Sequence, residues 1–508
     1  MNDSPQHMTH APRRSRTIAG LLLVVAALHL ALAVGSALTK RPWSDEAWFA
    51  SPALNLATKG FMGTTVLETE GLWLRGIERR TYWVMPLYLV GQAGWYRLVG
   101  FSLLKMRLLS AVWGLVALAA WWQIVRALFG SRRLAVLAAA LLACDYIFVM
   151  AASFGRMDMM SAALGSAAFA AYLTLRERRL GWAVFAGHAL TALSGLTHPH
   201  GGVLTFAGLL FLTLYFDRAR LRPAHLAVAF APYFVGALCW GGYVLQDPPT
   251  FWAQFKGNAT TSGRASTLAA PLTGFRREVT ERYLVAYGLG PHSAGHSGPI
   301  RLKALVLAAY LCALAGALAV PSLRRERGVR ALLVLAAVYF VALAVGDGQK
   351  LSYYLIYPVP IYTALVAVWL RWCWGRGRAG RAFAAACVAG LVALQAGGVL
   401  YRMRVNTYGR QFAPAVAYLR EHTDARTLVM GSAELGFGLG FDRNLVDDIR
   451  LGYYSGKRPD VIVIEEIYEQ NIRDYQAREP DVYRHITQLL EQYRPVYDES
   501  GYRVYVRR

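Results

Sequence analysis

The sequence predicts an α-helical polytopic membrane protein, a bundle of about 11 transmembrane helices with further helices on its outer surface, followed by a soluble α/β domain. Three observations predict this. Apolar residues fill 56% of 508 positions, in eleven long stretches that approach the ~20 residues a bilayer core demands. The net charge of +23 sits entirely before residue 402: residues 402–508 hold 16 Lys/Arg and 16 Asp/Glu, leaving 38 of the 54 bases and 15 of the 31 acids in 1–401. Arg-rich loops then alternate with loops that carry most of the acids, so the charge reports membrane topology and no nucleic-acid partner is expected.

The apolar stretches place spans at about 18–38, 107–129, 133–151, 159–175, 182–198, 201–216, 225–245, 301–320, 330–346, 352–371 and 381–401. Arg13/Arg14/Arg16, Arg132/Arg133, Arg176/Arg178/Arg179, Arg218/Arg220/Arg222, Arg324/Arg325/Arg327/Arg330 and Arg371/Arg376/Arg378/Arg381 all face the cytoplasm only if a twelfth candidate, 82–100, does not cross. Its Trp83, Trp95, Arg79, Arg80 and Arg97 suit a helix lying at the outer surface. The first apolar run is longer than a signal-peptide core and reads as an uncleaved anchor. Two outer segments are large, 39–106 and 246–300. The second mixes Pro, Gly, Ser and Thr with basic residues, the texture of a loop that closes over a pocket.

Two domains follow: a membrane domain over 1–401 and a soluble external α/β domain over 402–508. The latter shows a helix at 410–422, strands at Thr427–Gly431 and Asp460–Ile464, a helix at Val482–Tyr493, and a hairpin pairing Val496–Asp498 with Arg503–Val506. Gly436-Phe437-Gly438-Leu439-Gly440 lacks the strand–GxGxxG–helix context of a nucleotide loop and reads as a plain turn. The five cysteines form no CxxC and no cluster at metal spacing and read as buried packing thiols; no cofactor is expected, and a divalent metal stays open.

Chemistry concentrates in the outer turns. Asp45-Glu46 follows the first span and opens an amphipathic helix at Ser44. Two readings are open there. Ser44 caps the helix and the acids complement its dipole, or a carboxylate at the membrane surface acts as general base. Arg156 and Asp158 stand at the next outer crossing, and Asp145, inside the preceding span, needs a partner. His198-Pro199-His200 makes a third outer turn, better suited to hydrogen bonding than to a metal. Lys350 with Tyr353 and Tyr354 enters the membrane from outside, placed either to hold a lipid phosphate or to snorkel within an aromatic belt.

Taken in order, Asp45-Glu46, Met85-Pro86-Leu87-Tyr88, Arg107-Leu108-Leu109-Ser110, Arg156-Met157-Asp158 and Lys350 with Tyr353-Tyr354-Leu355-Ile356-Tyr357-Pro358 resemble the polyprenyl-phosphate-sugar-dependent glycosyltransferases of the GT-C fold. The nearest groups are the protein O-mannosyltransferases and lipid A aminoarabinose transferases of glycosyltransferase family 39. The resemblance spans about 18–400. It implies a hexosyl or pentosyl transferase with a polyprenyl-phosphate-linked sugar as donor and a lipid, glycan or protein as acceptor, embedded among membrane lipids. Asp45 would be the base, and Glu46 and Asp158 would shape the donor or acceptor site. Tyr88, Arg156, His198, His200, Lys350, Tyr353 and Tyr354 complete the expected substrate contacts. Met85 replaces the first proline of its segment and no lysine precedes it, so Arg79 or Arg80 takes over the family's phosphate contact in this reading. The expected location is the inner or plasma membrane, multi-pass, with active site and C-terminal domain on the external, periplasmic side. The competing reading is a secondary transporter or lipid flippase, against which the sequence shows no inverted repeat and no pair of Gly/Pro-broken central helices.

Overall fold

The computed structural model describes residues 11–290, 298–441 and 444–508. Residues 291–297 of the large outer loop and the side chains of Arg13 and Arg14 fall outside the described residues. The first ten helices are α1 (Ala11–Thr39), α2 (Ser44–Lys59), α3 (Pro86–Val99), α4 (Leu103–Phe129), α5 (Arg132–Cys144), α6 (Tyr146–Ala152), α7 (Met157–Leu175), α8 (Leu180–Thr197), α9 (Pro199–Asp217) and α10 (Pro223–Val244). Helices at Ala304–Ala319, Arg327–Gly346, Val359–Trp374 and Gly377–Val405 complete the membrane part. Every expected span is therefore helical.

Among the described residues, eight helices are long and apolar enough to cross a membrane, and nine if the bent pair α5–α6 counts as one. The two that fail on their own, α7 and Val359–Trp374, are buried along most of their length by protein. A central helix needs no lipid-facing apolar coat. It needs close neighbours, and small residues supply them: a Cβ on Gly165 of α7 would stand 2.3 Å from Thr205 Oγ1 of α9, and one on Gly202 of α9 would stand 2.4 Å from the Cα of Gly195 on α8.

The segment read as 82–100 is α3, whose 14 residues span only about 21 Å at 1.5 Å each, short of a hydrocarbon core. Arg97 ties it down by donating to the carbonyls of Ala57 and Leu56 at 3.0 and 3.1 Å, satisfying the end of α2.

The expected span 133–151 is broken at Asp145, where the chain bends by 67°. No proline or glycine causes it. Asp145 leaves helical geometry at ψ 128 and its Oδ1 accepts Phe148 N–H at 3.0 Å, capping α6. Its other oxygen takes Tyr310 Oη and Gln395 Nε2, both at 2.6 Å, which are the partners this intramembrane acid requires.

Beyond Val405 a five-stranded sheet forms from β1 (Val429–Met430), β2 (Leu445–Val446), β3 (Val461–Glu465), β4 (Tyr493–Glu499) and β5 (Tyr502–Arg507), in the order β2-β1-β3-β5-β4. β1 is parallel to β2 and β3, while β5 is antiparallel to β3 and β4. Ser500 and Gly501, at φ 62 and 78, make the two-residue turn of the β4–β5 hairpin. Ile462 and Ile464 face a helix pair at Glu466–Arg478 and Pro480–Glu491. Val461 and Val463, alternating with them, face a core shared with Ala47, Phe49 and Ala50 of α2. The sheet thus packs on the helix that carries Asp45. The glycine-rich run is a short helix, Gly436–Leu439, with Gly436 against Phe441 and Gly438 against Val416.

Candidate active site

Asp45 lies in the first turn of α2 and forms an ion pair with Arg156, whose Nε binds Asp158 Oδ2 at 2.9 Å. Arg156 and Asp158 are buried, whereas the Asp45 side chain keeps 18% of its surface exposed. The guanidinium lies over the Tyr353 ring at 4.2 Å, with Trp43 and Phe49 at 5.5 and 5.6 Å. Stacking and two carboxylates fix its plane. Asp158, in the first turn of α7, presents Oδ1 buried and without a hydrogen-bond partner, 3.9 Å from His198 Nε2. His198 caps α9 through Nδ1, which accepts His200 N–H at 3.2 Å. Burial, then the neighbouring charges of His200, Arg264 and Arg156, hold its pKa well below the usual value, so the ring is neutral. His200 stacks on Tyr354 at 4.7 Å, and Tyr354 Oη accepts Arg264 Nη1 at 2.7 Å.

The structure therefore gathers Asp45, Arg156, Asp158, His198, His200, Tyr353 and Tyr354. Glu46 has a different position. Its carboxylate takes Arg107 Nε and Nη2 at 2.8 and 2.6 Å and Gly155 N–H at 2.7 Å, with both side chains of the pair fully buried. It also accepts Trp43 N–H at 3.2 Å, so the helix-capping role expected of Ser44 belongs to Glu46. No backbone N–H among the described residues donates to Asp45 within hydrogen-bond distance. Arg107, quoted for its place in the motif order, is a structural clamp that also binds the carbonyls of Ala37, Lys40 and Arg41.

Lys350, expected at a lipid phosphate, is paired inside the protein. Its Nζ is buried against Glu278 Oε2 at 3.1 Å and the carbonyls of Leu343 and Ala344. Glu278 also binds Arg282 at 2.8 Å, and Arg282 pairs with Asp347. These charges are spent on one another. Tyr88 is likewise buried, taking Gln92 Nε2 at 2.7 Å and packing edge-on to Phe49. Arg79 is exposed and Arg80 half-buried, and both stand apart from Lys350, lining a cavity of about 880 Å³ with Met62, Leu87, Leu196 and Trp240.

Asp158 lines one further cavity and His198, 3.9 Å from it, lines another. One, of about 680 Å³, is lined by Lys40, Arg41, Trp43, Arg156, Asp158 and Tyr353 among others. The other, about 210 Å³, is lined by Trp83, Met85, His198, His200, Asn258 and Arg264. The smaller shares Met85 and Pro199 with an apolar groove of about 520 Å³ between α8, α9 and α10. That groove shares Leu196 and Trp240 with the 880 Å³ cavity. An apolar channel of cavities that share lining residues thus runs from α8, α9 and α10 to Arg264. Among the described residues no group of three or more His, Cys, Asp or Glu side chains gathers at metal-binding distance.

The sheet domain holds the helix of Asp45 in place. Asp447 accepts Trp48 Nε1 at 2.9 Å, Ala433 N–H at 3.0 Å and Tyr468 Oη at 2.7 Å. Beside it Glu434 is buried and takes the Tyr502 hydroxyl. Burial, then the Glu465 charge, pushes the Glu434 carboxyl up to about 8, against the pull of Tyr502 and Arg41 and with a push from Glu46. A carboxyl raised in the folded state binds a proton that the unfolded chain has already lost. Stability from this group is present below pH ~4.5 and declines as pH rises to about 8. Melting temperature is expected to fall across that window and to do so less steeply in Glu434→Gln; parallel curves for the two proteins would refute the assignment.

Residues 84–240 match the family model described as dolichyl-phosphate-mannose-protein mannosyltransferase. No curated protein matches the chain. Among solved structures, ArnT from Cupriavidus metallidurans bound to undecaprenyl phosphate superposes with TM-score 0.65 at 18% identity, covering 96% of this chain and 98% of that one. The Archaeoglobus fulgidus oligosaccharyltransferase in complex with Zn and sulfate gives TM-score 0.58 at 14% identity, over 96% of this chain and 73% of that one. The same archaeal enzyme, AglB, with an inhibitory peptide and a dolichol-phosphate, gives 0.53 at 13%, over 97% and 74%. The chain has the GT-C glycosyltransferase fold. It is a multi-pass membrane protein.

Proposed function

We propose that the protein is an integral-membrane glycosyltransferase that moves a sugar from a polyprenyl-phosphate donor to an acceptor at the outer, periplasmic face of the inner or plasma membrane. One observation carries this reading: a partly exposed carboxylate, Asp45, is ion-paired with Arg156, which lines one cavity with Asp158, and Asp158 Oδ1 stands 3.9 Å from His198, which lines the second cavity with Arg264 at the end of the apolar channel. The isoprenoid tail lies in the apolar channel, which brings the sugar's anomeric carbon to Asp158 and His198. Arg156 pairs with Asp45 and fixes the direction of its carboxylate. Asp45 takes the proton from the acceptor's hydroxyl or amine as that atom bonds to the anomeric carbon. The carbon–oxygen bond to phosphate breaks on the opposite face, so configuration inverts. The departing phosphate gains charge, and Arg264, held by Tyr354 and by Asn258 Oδ1 at 3.1 Å, stabilises it. The related structures bound to undecaprenyl phosphate and dolichol-phosphate support the donor class. Residues 402–508 and the loops 39–106 and 246–300 lie outside in this reading. Cysteine placed at Ser131 or Gly328 is then unreachable from the periplasm, and its labelling from outside would reverse the topology.

The test of function compares envelope lipids, glycans and glycoproteins by mass spectrometry with and without this chain, then assays purified protein with the polyprenyl-phosphate sugar so implicated. Identical profiles, or transport without transfer, would favour a carrier. Within the reading, Arg264→Ala is expected to weaken polyprenyl-phosphate binding by about 10- to 100-fold, since a charge-assisted contact contributes roughly 1.5–3 kcal/mol. Lys350→Ala is expected to lower stability instead, because it leaves Glu278 under-paired in a buried site. Isothermal titration that finds wild-type affinity in Arg264→Ala would move the phosphate site.

A further inference from the structure

Arg156 pairs with the Asp45 carboxylate, but where that carboxylate stands depends on how α2 is turned. The apolar contacts of Ala47, Phe49 and Ala50 with Val461 and Val463 hold α2 against the sheet. Such contacts are not directional. Hydrogen bonds and ion pairs are, and residues 402–508 reach the Asp45 segment with two sets of them, one on each side of Asp45.

After Asp45, Trp48 follows one turn along the same side of α2, and its Nε1 donates to Asp447 Oδ2 at 2.9 Å. Asp447 is itself fixed on every side. Ala433 N–H donates to Oδ2 at 3.0 Å and Tyr468 Oη to Oδ1 at 2.7 Å. Its main chain pairs with the outer segment of the membrane domain, Asp447 N–H donating to Val66 O at 2.8 Å and Glu68 N–H to Asp447 O at 3.0 Å. Before Asp45, Arg41 donates its backbone N–H to Thr407 Oγ1 at 3.0 Å, and its guanidinium meets Glu466 at 3.2 Å and Glu465 at 3.7 Å. Glu466 is exposed and contributes little. Glu465 is buried and held still, since its oxygens cap the Glu466–Arg478 helix by accepting Ile467 N–H at 2.9 Å and Tyr468 N–H at 3.2 Å. Tyr468 therefore joins the two grips. Asp447 follows β2 and Glu465 ends β3, so both stand at the edge where the parallel strands finish, the edge from which α/β domains present functional side chains.

Trp48 carries the effect beyond α2. Its ring lies edge-on to Trp83 at 6.2 Å, Trp83 stacks on Phe49 at 5.6 Å, and Phe49 lies 5.6 Å from the Arg156 guanidinium. Turning α2 thus moves Asp45 and the aromatic bed of its partner together. Apolar packing alone would dock the domain; buried carboxylates stabilise only when well paired, and what they add is direction. We propose that Glu465 and Asp447 are positioning residues for Asp45: through Arg41 and Trp48 they set the turn of α2, and with it the distance from the Asp45 carboxylate to the reacting atoms. The effect on catalysis rests on the transferase reading; the grip on α2 does not.

The experiment compares full-length Trp48→Phe, Glu465→Gln and Lys457→Gln in detergent. Trp48→Phe keeps an aromatic ring and removes the donor to Asp447, and Glu465→Gln keeps a capping oxygen and removes the charge that faces Arg41. Lys457→Gln is the control, because it breaks an ion pair with Glu68 that joins the same two parts of the chain without involving α2. In the first two variants kcat is expected to fall about 10- to 100-fold, the scale of loss for a misplaced catalytic group, with donor KM and melting temperature near wild type. The control should keep wild-type kcat. Amide exchange read by mass spectrometry reports the grip without activity, and residues 42–50 should exchange faster in the first two variants and not in the control. Should Glu465→Gln melt lower, Trp48→Phe decides alone, since it leaves that helix cap intact. Wild-type kcat in Trp48→Phe overturns the proposal, as does an equal loss in Lys457→Gln, which would make the domain a general scaffold. A raised donor KM at unchanged kcat overturns it too, by moving the effect to donor binding. If the wild-type protein transfers no sugar, the transferase reading falls and exchange alone decides: unchanged protection of 42–50 in Trp48→Phe overturns the grip, and faster exchange there upholds it.

Discussion

Asp45→Asn is expected to slow sugar transfer by about 10²–10⁴-fold, the usual cost of losing general acid–base catalysis. The substitution keeps shape and one acceptor oxygen for Arg156, and removes only the charge that takes the proton. Little else should change. Arg156 retains Asp158, its aromatic stack and its place at the start of α7, and the helix cap is supplied by Glu46. Melting temperature and polyprenyl-phosphate binding should therefore stay near wild type while turnover collapses at saturating donor. A folded Asp45→Asn protein that transfers sugar at the wild-type rate would shift the base to Asp158, whose buried Oδ1 has no partner. Glu46 is not a candidate for that role, since each of its oxygens already takes an Arg107 nitrogen.

What could be read from the sequence was what is local or periodic. Spans are legible because about twenty apolar residues leave few alternatives in a membrane protein, and the arginines that a twelfth crossing would have inverted kept 82–100, which forms the 14-residue helix α3, out of the count. Strands β1, β3 and the β4–β5 hairpin showed period-two alternation or β-branched runs. The break at Asp145 was not legible, because one aspartate among apolar residues carries no helix-stop signal until Tyr310 and Gln395 are brought beside it from 165 and 250 residues away. The Glu466–Arg478 helix was missed for a related reason: only Tyr468 and Tyr475 are buried along it, too sparse a stripe to show a period.

The site divides the same way. Asp45, Arg156 and Asp158 were legible from position at the ends of spans. The pairing of Lys350 was not legible, because the acid that holds it, Glu278, comes from the large loop, 72 residues earlier in the chain. Arg264 gave no local signal either. It is one arginine in a Gly-, Ser- and Thr-rich stretch, and only its bond to Tyr354 across 90 residues marks it. Charge partners at such separations follow from the fold and not from spacing.

The pair that most needs such a partner is Glu46–Arg107, and Arg107→Met is expected to destabilise the protein by about 3–5 kcal/mol, the range for breaking a buried ion pair on one side. The variant leaves a carboxylate with no exposed surface and removes the donors that satisfy the carbonyls of Ala37, Lys40 and Arg41. Those carbonyls end α1 and lead into α2, so the damage falls on the segment that aims Asp45. Glu46→Gln should also destabilise, by leaving a buried guanidinium short of charge. The double variant Glu46→Gln/Arg107→Met should recover part of the loss, since neither residue then leaves an unpaired ion behind, and a double-mutant cycle on unfolding in detergent measures the coupling. The opposite result is equally informative. If Arg107→Met keeps wild-type stability but loses turnover, the clamp is not what holds this corner of the fold, and Glu46 returns to the role of shaping the donor or acceptor site that the family resemblance implied.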